Sequence, residues 1–371
     1  MPKDKRTPSG RRIGIFNDAA GSAPPGAIVI ADFASTGAEP LALMGWSEHY
    51  TAQLTPEDMG LAPVRIATVH RARMSAVGLA GPLKLMLPPK TNTQNYAVGD
   101  WVLIEPETAM LVRRLTPLTL VQRRHDSGRG HVQLIAANID TMFIVTSCNA
   151  DFNPARLERY LALANEAGTT PVIVLTKADT TEDLARYRAE AEALQRDLPV
   201  VSVNAREAAA AGVLAPWCGP GQTVALIGSS GVGKSTLLNT LAGPDYAAPQ
   251  LTGDIREADA KGRHTTTGRS LHGIAGGGWV IDTPGMRTLH LSDVGDGIDT
   301  LFAEITELAP ECRFRDCTHA HEPGCAVQAA ARDGRLDPER LARWRKLQDE
   351  NQFNTPVVGR GNRPGPARGR R

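Results

Sequence analysis

One short stretch near the middle of the chain contains the residues that point most directly to chemistry. Segment 228–235 has the spacing G-x-x-x-x-G-K-S, which is the phosphate-binding loop of nucleoside triphosphatases. Its glycines allow the backbone to turn its N–H groups toward a phosphate chain. Lys234 would reach the β- and γ-phosphates, and Ser235 would bind Mg²⁺. The predicted phosphate-binding residues are Gly228, Ser229, Ser230, Gly231, Val232, Gly233, Lys234, Ser235 and Thr236.

The flanks of this loop have the pattern that the motif requires. The run 223–227 is largely β-branched and apolar, as in a buried parallel strand, and 236–242 predicts a helix that ends at Gly243-Pro244. Strand, glycine loop and helix therefore follow in the expected order. We interpret the stretch as a nucleotide site; the alternative is a glycine-rich turn that binds nothing.

A second motif, Thr176-Lys177-Ala178-Asp179, follows the apolar run 172–175 directly. A carboxylate at Asp179 can accept two hydrogen bonds from the N1–H and N2–H₂ groups of guanine, and adenine offers no such pair. The alkyl stem of Lys177 can lie over the base. The motif therefore predicts GTP rather than ATP as the nucleotide, with residues 202–205 as a weaker candidate for supporting the base.

Two segments downstream of the phosphate loop supply candidates for the metal and the γ-phosphate. Asp282-Thr-Pro-Gly285 follows the apolar run 279–281, so Asp282 would hold Mg²⁺ through water and the Gly285 N–H would meet the γ-phosphate. Thr266, within Gly262-Arg-His-Thr-Thr-Thr267, would close over the metal when GTP is bound. The alternatives are an ordinary turn and a polar loop.

The residue after this D-T-P-G motif is Met286, where Ras-type enzymes have a water-orienting Gln. A methionine side chain cannot orient water, so we expect slow intrinsic turnover and a partner or another group that completes the site. His264 is a candidate for that group, and its alternative is a mobile loop residue without a catalytic role.

A possible metal centre lies near the C-terminus. The pattern Cys312-x₄-Cys317-x-His319-x₅-Cys325 supplies three thiolates and one imidazole, enough for one closed tetrahedral Zn²⁺ site. His321 is a spare candidate ligand, and the alternative is a set of reduced cysteines without metal. The odd total of five cysteines argues against a disulfide framework and towards metal.

The elements that would position these motifs alternate between strand and helix. Runs 140–146, 172–175 and 200–201 predict strands, and helices are predicted from Asn153-Pro154 to about 168 and over 181–196. Such alternation indicates a doubly wound parallel sheet with ligands at the carboxyl ends of its strands. The base-reading motif precedes the phosphate loop, the reverse of the usual order, and this predicts a circularly permuted GTPase domain.

Residues 62–120 have a different character. Five short β-prone runs, 64–71, 74–78, 82–87, 99–104 and 110–115, are separated by turn residues, which suggests a small barrel of the oligonucleotide-binding type. The alternative is a β-barrel that serves as a structural support. Tyr96 and Trp101 are its only aromatic residues, so base stacking on this barrel is weakly indicated.

Composition limits the class of protein. The 371 residues are 42% hydrophobic and 22% charged, as in a soluble globular protein, and no apolar run approaches a membrane span. No secretory signal is present at the N-terminus, so we expect a cytoplasmic protein. The net charge of +1 includes basic residues clustered at both ends, which suits a polyanionic partner such as nucleic acid or simply gives solvated tails.

The predicted fold class is α/β, with a circularly permuted P-loop GTPase domain between an N-terminal OB-type β-barrel and a C-terminal, mostly helical zinc domain. The predicted divisions are a partly disordered extension at 1–60, the OB barrel at 61–120, the GTPase domain at 131–295, the zinc domain at 296–351 and a basic disordered tail at 352–371.

The permuted order of these motifs, preceded by a barrel and followed by the cysteine–histidine pattern, resembles one family closely. It is the family of bacterial small-ribosomal-subunit biogenesis GTPases known as RsgA or YjeQ, and the resemblance covers roughly 60–350. Phrases 136–140, 262–267 and 312–319 carry it. It implies GTP hydrolysis that the 30S subunit stimulates late in its maturation, binding to 16S rRNA, Mg²⁺ with GTP, one structural Zn²⁺ and a monomeric protein. Thr176 departs from it, because the motif there often has Asn.

Two rival functions remain open at this point. One is a GTPase that acts on another ribosomal particle. The other, from a different class, is a zinc-dependent RNA-binding protein whose nucleotide site is a sensor that does not hydrolyse GTP, and Met286 keeps it open. Comparing 30S with 50S binding tests the first, and GTP hydrolysis by a Lys234→Ala variant tests the second.

Overall fold

The structure, a computed structural model, describes residues 39–124, 132–243, 269–282 and 292–355. Over these ranges it contains thirteen strands and ten α-helices. The strands are β1 Ala62–Val69, β2 Met74–Gly78, β3 Gly81–Lys84, β4 Trp101–Ile104, β5 Leu111–Arg114, β6 Leu120–Arg124, β7 Val132–Ala137, β8 Thr141–Ser147, β9 Thr170–Thr176, β10 Val200–Val203, β11 Thr223–Ile227, β12 Ser270–Gly273 and β13 Trp279–Asp282. The helices are α1 Glu39–Ala42, α2 Glu48–Thr51, α3 Pro154–Glu166, α4 Leu184–Glu192, α5 Ala209–Leu214, α6 Lys234–Ala242, α7 Gly295–Leu301, α8 Ala303–Leu308, α9 Ala326–Arg332 and α10 Pro338–Asn354.

The central part is the doubly wound sheet that the sequence predicts. Its parallel strands have the order β10-β9-β8-β11-β13, and β12 adds to β13 in the antiparallel sense. Every residue of β8 is buried, because alternate side chains enter two different cores. Met142 and Ile144 face the core under α3, whereas Phe143 and Val145 face the core under α6. A run without polar alternation is what a strand covered on both faces requires.

The five predicted strands between 62 and 120 are present as β1 to β5 and form a closed ring. β1 pairs with β2 and β4, β2 with β3, and β4 with β5. A bridge between Met86 and Met110 joins the chain after β3 to the chain before β5. Alternate residues of these strands, among them Val64, Ile66 and Ala76, fill the interior. The third predicted run, 82–87, is shorter as a strand and ends at Lys84.

The barrel and the parallel sheet are one continuous sheet of eleven strands. β1 pairs with β12 at Thr68 and Ser270, which connects the barrel to the GTPase strands. The separate β6–β7 hairpin lies at this junction, where Val98 bridges to Ala136. Gly99 has φ +91°, and a Cβ there would lie 2.2 Å from the Ala137 carbonyl oxygen, so only glycine allows the two segments to approach so closely.

The segment 39–61, to which the sequence assigned no chemistry, packs on the outer side of the barrel. Trp46 meets Trp101 edge to face with ring centroids 5.0 Å apart. Tyr50 is buried, and its hydroxyl donates to Asn138 Oδ1 at 2.6 Å. The buried Arg65 donates to carbonyls of three segments, including Met44 O at 2.8 Å. These contacts join the segment to the junction between the barrel and the sheet.

The C-terminal helices α7 to α10 pack against α3. Ile298, Phe302 and Leu341 belong to the same core cluster as residues of α3. At Gly297 a Cβ would lie 2.1 Å from the Ala162 carbonyl oxygen, so the two helices are in backbone contact. None of the helices in the described ranges combines the length and apolarity that a membrane span requires.

Candidate nucleotide site and metal centre

The phosphate-binding loop, residues 228–236, connects the end of β11 to the start of α6. Gly228 has φ +149°, and a Cβ there would lie 2.1 Å from the Val145 carbonyl oxygen of β8. Gly233, at φ +100°, is the last residue before α6. Both positions therefore require glycine, the first for close approach and the second for its left-handed backbone. The amide groups at the start of α6 point into the loop, as a phosphate site needs.

Lys234 and Asp282 face each other across this loop. Lys234 Nζ donates to the carbonyl oxygens of Gly228, at 2.8 Å, and of Ser229. Asp282 is the last residue of β13, opposite Leu226 of β11. Burial raises the pKa of the Asp282 carboxyl, and the positive charge of Lys234 works in the opposite direction. The charge of Lys234 therefore acts on the Asp282 carboxyl at the end of the neighbouring strand.

The base-reading loop, residues 176–179, is tied directly to the phosphate-binding loop. Thr176 is fully buried, and its hydroxyl lies 2.5 Å from Val232 O and 3.1 Å from Thr146 O. One hydroxyl hydrogen can serve one of these carbonyls at a time, and Val232 O is the nearer. The Thr176 side chain therefore forms a hydrogen bond between the two loops.

Asp179 lies three residues after Thr176, on the 3₁₀ turn Ala178–Thr180, and is exposed. Lys177 before it has a left-handed backbone, φ +56°, and the Thr180 N–H donates to its carbonyl at 3.0 Å. The carboxylate of Asp179 is consequently presented at the carboxyl edge of the sheet. The loop that follows β10 is also hydrogen-bonded to α6. The Ala205 carbonyl accepts from Thr240 Oγ1 of α6 at 2.7 Å. The base loops on both sides are hydrogen-bonded to the phosphate-binding unit.

The structure adds Tyr160, which the sequence did not single out. It is buried on α3, and the side chain of Ser229 in the phosphate-binding loop acts to lower the pKa of its hydroxyl. Burial raises the pKa of Tyr160, so the phenol remains neutral. Its spacing from Leu157 and Ala164 on the apolar stripe of α3 predicts only a core residue. The spacing contains no signal for the contact with Ser229.

Three predicted site residues fall outside the described ranges. His264 and Thr266 precede Arg269, where the description of this part of the chain begins, and Gly285 follows Asp282, where it ends. Their roles, like that of Met286, stay predictions.

The predicted metal ligands are brought together. The ligand atoms of Cys312, Cys317, His319 and Cys325 all lie within 4.8 Å of one another. Cys312 Sγ and Cys325 Sγ are 3.8 Å apart, and His319 Nδ1 lies 3.5 and 3.4 Å from these sulfurs. With Zn–S bonds of about 2.3 Å, tetrahedral geometry separates two sulfurs by about 3.8 Å. The donor set and its spacing fit one structural Zn²⁺.

Backbone groups orient these ligands. The Ala326 N–H points at Cys312 Sγ at 3.3 Å, and the Gln328 N–H at Cys325 Sγ at 3.4 Å. Such N–H donors favour the thiolate form that binds metal. The His319 carbonyl accepts from Gln328 Nε2 at 2.7 Å and from Arg345. His321, the spare candidate, is exposed and is not part of the cluster.

A parallel GTPase sheet with the base-reading loop ahead of the phosphate-binding loop defines the class: this is a circularly permuted GTPase. A family model described as RsgA GTPase matches residues 117–292. The small ribosomal subunit biogenesis GTPase RsgA of Mesorhizobium japonicum is 68% identical over 333 residues, which cover 89% of this chain and 96% of the relative. The chain belongs to the RsgA family of GTPases, which hydrolyse GTP with Mg²⁺.

More distant proteins agree with this assignment. The small ribosomal subunit biogenesis GTPase RsgA 2 of Vibrio parahaemolyticus is 46% identical over 316 residues, covering 85% of this chain and 87% of that protein. Among solved structures, YjeQ from Thermotoga maritima has a TM-score of 0.57 at 26% identity, over 78% of this chain and 97% of its own. YloQ, described as a circularly permuted GTPase, has a TM-score of 0.55 at 22% identity, over 80% and 97%, and shows the shared fold alone.

Proposed function

We propose that this chain binds the 30S ribosomal subunit, acts late in its maturation and hydrolyses GTP when the subunit stimulates it. The observation that carries the proposal is the 68% identity, over 96% of its length, of a relative named for small ribosomal subunit biogenesis. We further infer that the chain contacts 16S rRNA and works as a monomer in the cytoplasm. Arg71 and Arg73 are exposed on the turn between β1 and β2, near the junction of barrel and sheet, and their positive charge supports an RNA partner.

In this proposal the nucleotide lies along the carboxyl edge of the sheet. Asp179 accepts from the guanine N1–H and N2–H₂ groups, with the stem of Lys177 over the base. The phosphate chain replaces the two loop carbonyls as acceptor for Lys234 Nζ. Ser235 and Asp282 would hold Mg²⁺, which would neutralise charge on the phosphates.

Thr266, which precedes β12 in the sequence, and Gly285, which follows β13, complete the nucleotide site in this proposal. Gly285 would donate its N–H to the γ-phosphate, and Thr266 would close over Mg²⁺ when GTP is bound. Because Met286 cannot orient the attacking water, that task falls to another group, with His264 as the candidate. A site that lacks its own water-orienting side chain is suited to activation by a partner.

The remaining parts of the chain form the surfaces that hold the subunit. We assign the OB barrel to 61–120, the GTPase domain to 131–295 and the zinc domain to 296–351, with Cys312, Cys317, His319 and Cys325 as the Zn²⁺ ligands. The extension 1–60 includes residues 39–60, whose packing on Trp101 associates them with the barrel. The tail 352–371 supplies further positive charge.

GTP hydrolysis with and without purified 30S subunits tests the proposal, with 50S subunits as the control. We expect strong stimulation by 30S and none by 50S. A Lys234→Ala variant, which cannot stabilise the β- and γ-phosphates, should lose stimulated hydrolysis by about 10²-fold or more. Equal rates with 30S, with 50S and without either would remove the ribosomal assignment. Unchanged phosphate release by the lysine variant would remove the enzymatic role of this site.

A further inference from the structure

Two arginines meet at the seam between the barrel and the GTPase sheet. This seam consists of β1, β12 and the β6–β7 hairpin. Thr68 of β1 pairs with Ser270 of β12 in the antiparallel sense, so Arg269 lies alongside Val69. Arg123 lies on β6 opposite Gln133 of β7.

Both arginines extend from the same apolar core. Leu271 and Val121 are buried in one core cluster, and Val69 packs against it. Positions two apart on a strand share a face, so Arg269 lies on the side of Leu271 and Arg123 on the side of Val121. The chain between β3 and β4 connects the two elements: Val98 bridges to Ala136 of β7, and Thr93 Oγ1 donates to the Arg71 carbonyl just after β1 at 3.1 Å. Both arginines therefore lie at this junction.

The charge of Arg123 acts on Arg269, and neither arginine has an acidic partner among the described residues. Burial, followed by the positive charge of Arg123, lowers the pKa of the half-buried Arg269. Arg269 Nε is buried without a hydrogen-bond partner among the described residues. Arg123 Nε donates to the neutral Gln133 Oε1 at 3.0 Å. In the described part of the chain neither arginine forms a salt bridge.

Such an arrangement is unfavourable by itself and favourable with an anion. Two like charges repel each other, and a buried guanidinium N–H without an acceptor loses its hydration. A phosphate oxygen between the two groups would accept from both and neutralise the pair. Arg71 and Arg73, exposed on the turn between β1 and β2, extend the positive surface next to the seam. A single small anion would contact only Arg123 and Arg269, whereas a polyanion can also contact the positive surface of Arg71 and Arg73.

We propose that Arg123 and Arg269 together bind one backbone phosphate of RNA at the seam between the barrel and the GTPase sheet. The inference rests on the proposed function for the source of the phosphate, the 30S subunit. Arg269 follows Thr267 by two residues, so RNA held at the seam is connected by a short stretch of chain to the segment that contains Thr266. The seam thus links RNA binding to the nucleotide site.

The test measures binding of purified 30S subunits by Arg123→Gln, Arg269→Gln and the double variant, over a range of salt concentrations. Each single variant should bind about ten-fold more weakly, because a charge-assisted hydrogen bond is lost. The slope of log affinity against log salt should become shallower by about one unit. The double variant should have nearly the slope of the singles, because both arginines serve one phosphate. Arg186→Gln, on the exposed face of α4, is the matched control and should bind as the wild type does.

Thermal unfolding of the free proteins separates binding from a structural role. Arg269→Gln removes a cation that lies beside a like charge, so its midpoint should equal or exceed that of the wild type. A midpoint several degrees lower, or wild-type affinity and salt slope in both single variants, would overturn the proposal. If the wild type itself fails to bind 30S, the proposed function fails instead.

Inorganic phosphate serves as the second probe. With GDP occupying the phosphate-binding loop, we expect millimolar phosphate to raise the unfolding temperature of the wild type and not that of the double variant. If phosphate protects in this way while the variants bind 30S normally, RNA is excluded as the source of the anion and the proposal is overturned.

Discussion

At the scale of single residues, Thr176 determines how the two nucleotide loops are held together. Its hydroxyl reaches Val232 O in the phosphate-binding loop, while its backbone carbonyl accepts from the Cys148 N–H at 3.0 Å. The side chain is fully buried, so water cannot substitute for either partner. The hydroxyl of Thr176 therefore joins the two loops directly.

Replacing Thr176 by Val removes this hydroxyl and keeps the shape of the side chain. The Val232 carbonyl then lacks its donor, and we expect GTP and GDP both to bind about five-fold more weakly, or about 1 kcal/mol. The two nucleotides should be affected alike, because the bond is remote from the γ-phosphate. Titration with fluorescent GTP and GDP analogues measures the change. Thr176→Ser retains the hydroxyl and should bind within two-fold of the wild type; equal binding by the valine variant would contradict this role.

The sequence predicts a phosphate-binding loop but not the contacts that hold this loop in place. G-x-x-x-x-G-K-S is a local pattern, and its glycines have the backbone conformations that the pattern implies. The contacts of Thr176 with Val232 and of Tyr160 with Ser229 join segments far apart in the chain. Local periodicity contains no information on such pairs.

At the scale of secondary-structure elements, α3 holds the C-terminal helices against the GTPase sheet. Glu158, fully buried on α3, accepts from Arg340 at 2.8 Å and from Arg343 at 2.9 Å. Arg340 also donates to Glu304 at 2.8 Å, and its guanidinium lies 4.0 Å from the ring centroid of Phe302. One arginine thus connects α3, α8 and α10.

Removing Arg340 should loosen this connection strongly. Arg340→Ala leaves Glu158 buried with half of its ionic partners, and breaking a buried ion pair costs about 3–5 kcal/mol. We expect a lower unfolding temperature and faster hydrogen exchange over 338–354. Arg196→Ala, which breaks the exposed pair with Glu307, is the control and should cost under about 1 kcal/mol. If the double variant Glu158→Leu, Arg340→Met is as unstable as Arg340→Ala, an uncompensated charge is not the cause.

Elements with strong local patterns were predicted better than those that depend on distant partners. The predicted strand at 140–146 corresponds to β8, Thr141–Ser147. A buried β-branched run is a local pattern that indicates a strand without reference to distant residues. The helix predicted over 181–196 is shorter, Leu184–Glu192, since its ends have weak boundary signals. The segment 39–61 gave no clear pattern, because Trp46 and Tyr50 are fixed by Trp101, about fifty residues later in the chain.

At the scale of the whole molecule, the motifs are permuted along the chain, but the strands that carry them still form one parallel sheet. The permuted order allows β1 of the barrel to join β12, and α7 is the next described helix after β13. The barrel therefore continues the GTPase sheet, while the C-terminal helices pack on α3. The order of motifs predicted the permutation, but the shared sheet required the register of Thr68 with Ser270, which the sequence does not reveal.

This arrangement predicts that zinc and nucleotide binding can be separated. The metal ligands lie between the end of α8 and the start of α9, whereas the phosphate-binding loop connects β11 to α6. Cys317→Ala should lose the single bound Zn²⁺, measured by metal analysis, and should unfold at lower temperature, because metal binding contributes to folding of such small units. GTP affinity should stay within about two-fold of the wild type, since no ligand of the metal contacts that loop.

Two matched variants make the zinc prediction specific. Burial raises the pKa of the Cys148 thiol to about 11, so this cysteine stays protonated and Cys148→Ala should retain one Zn²⁺. His321→Ala should retain it as well, because His321 is exposed and outside the cluster. Full zinc content in Cys317→Ala would show that another group completes the site. Loss of GTP binding together with zinc would instead mean that the C-terminal helices and the phosphate-binding loop unfold as one unit through α3.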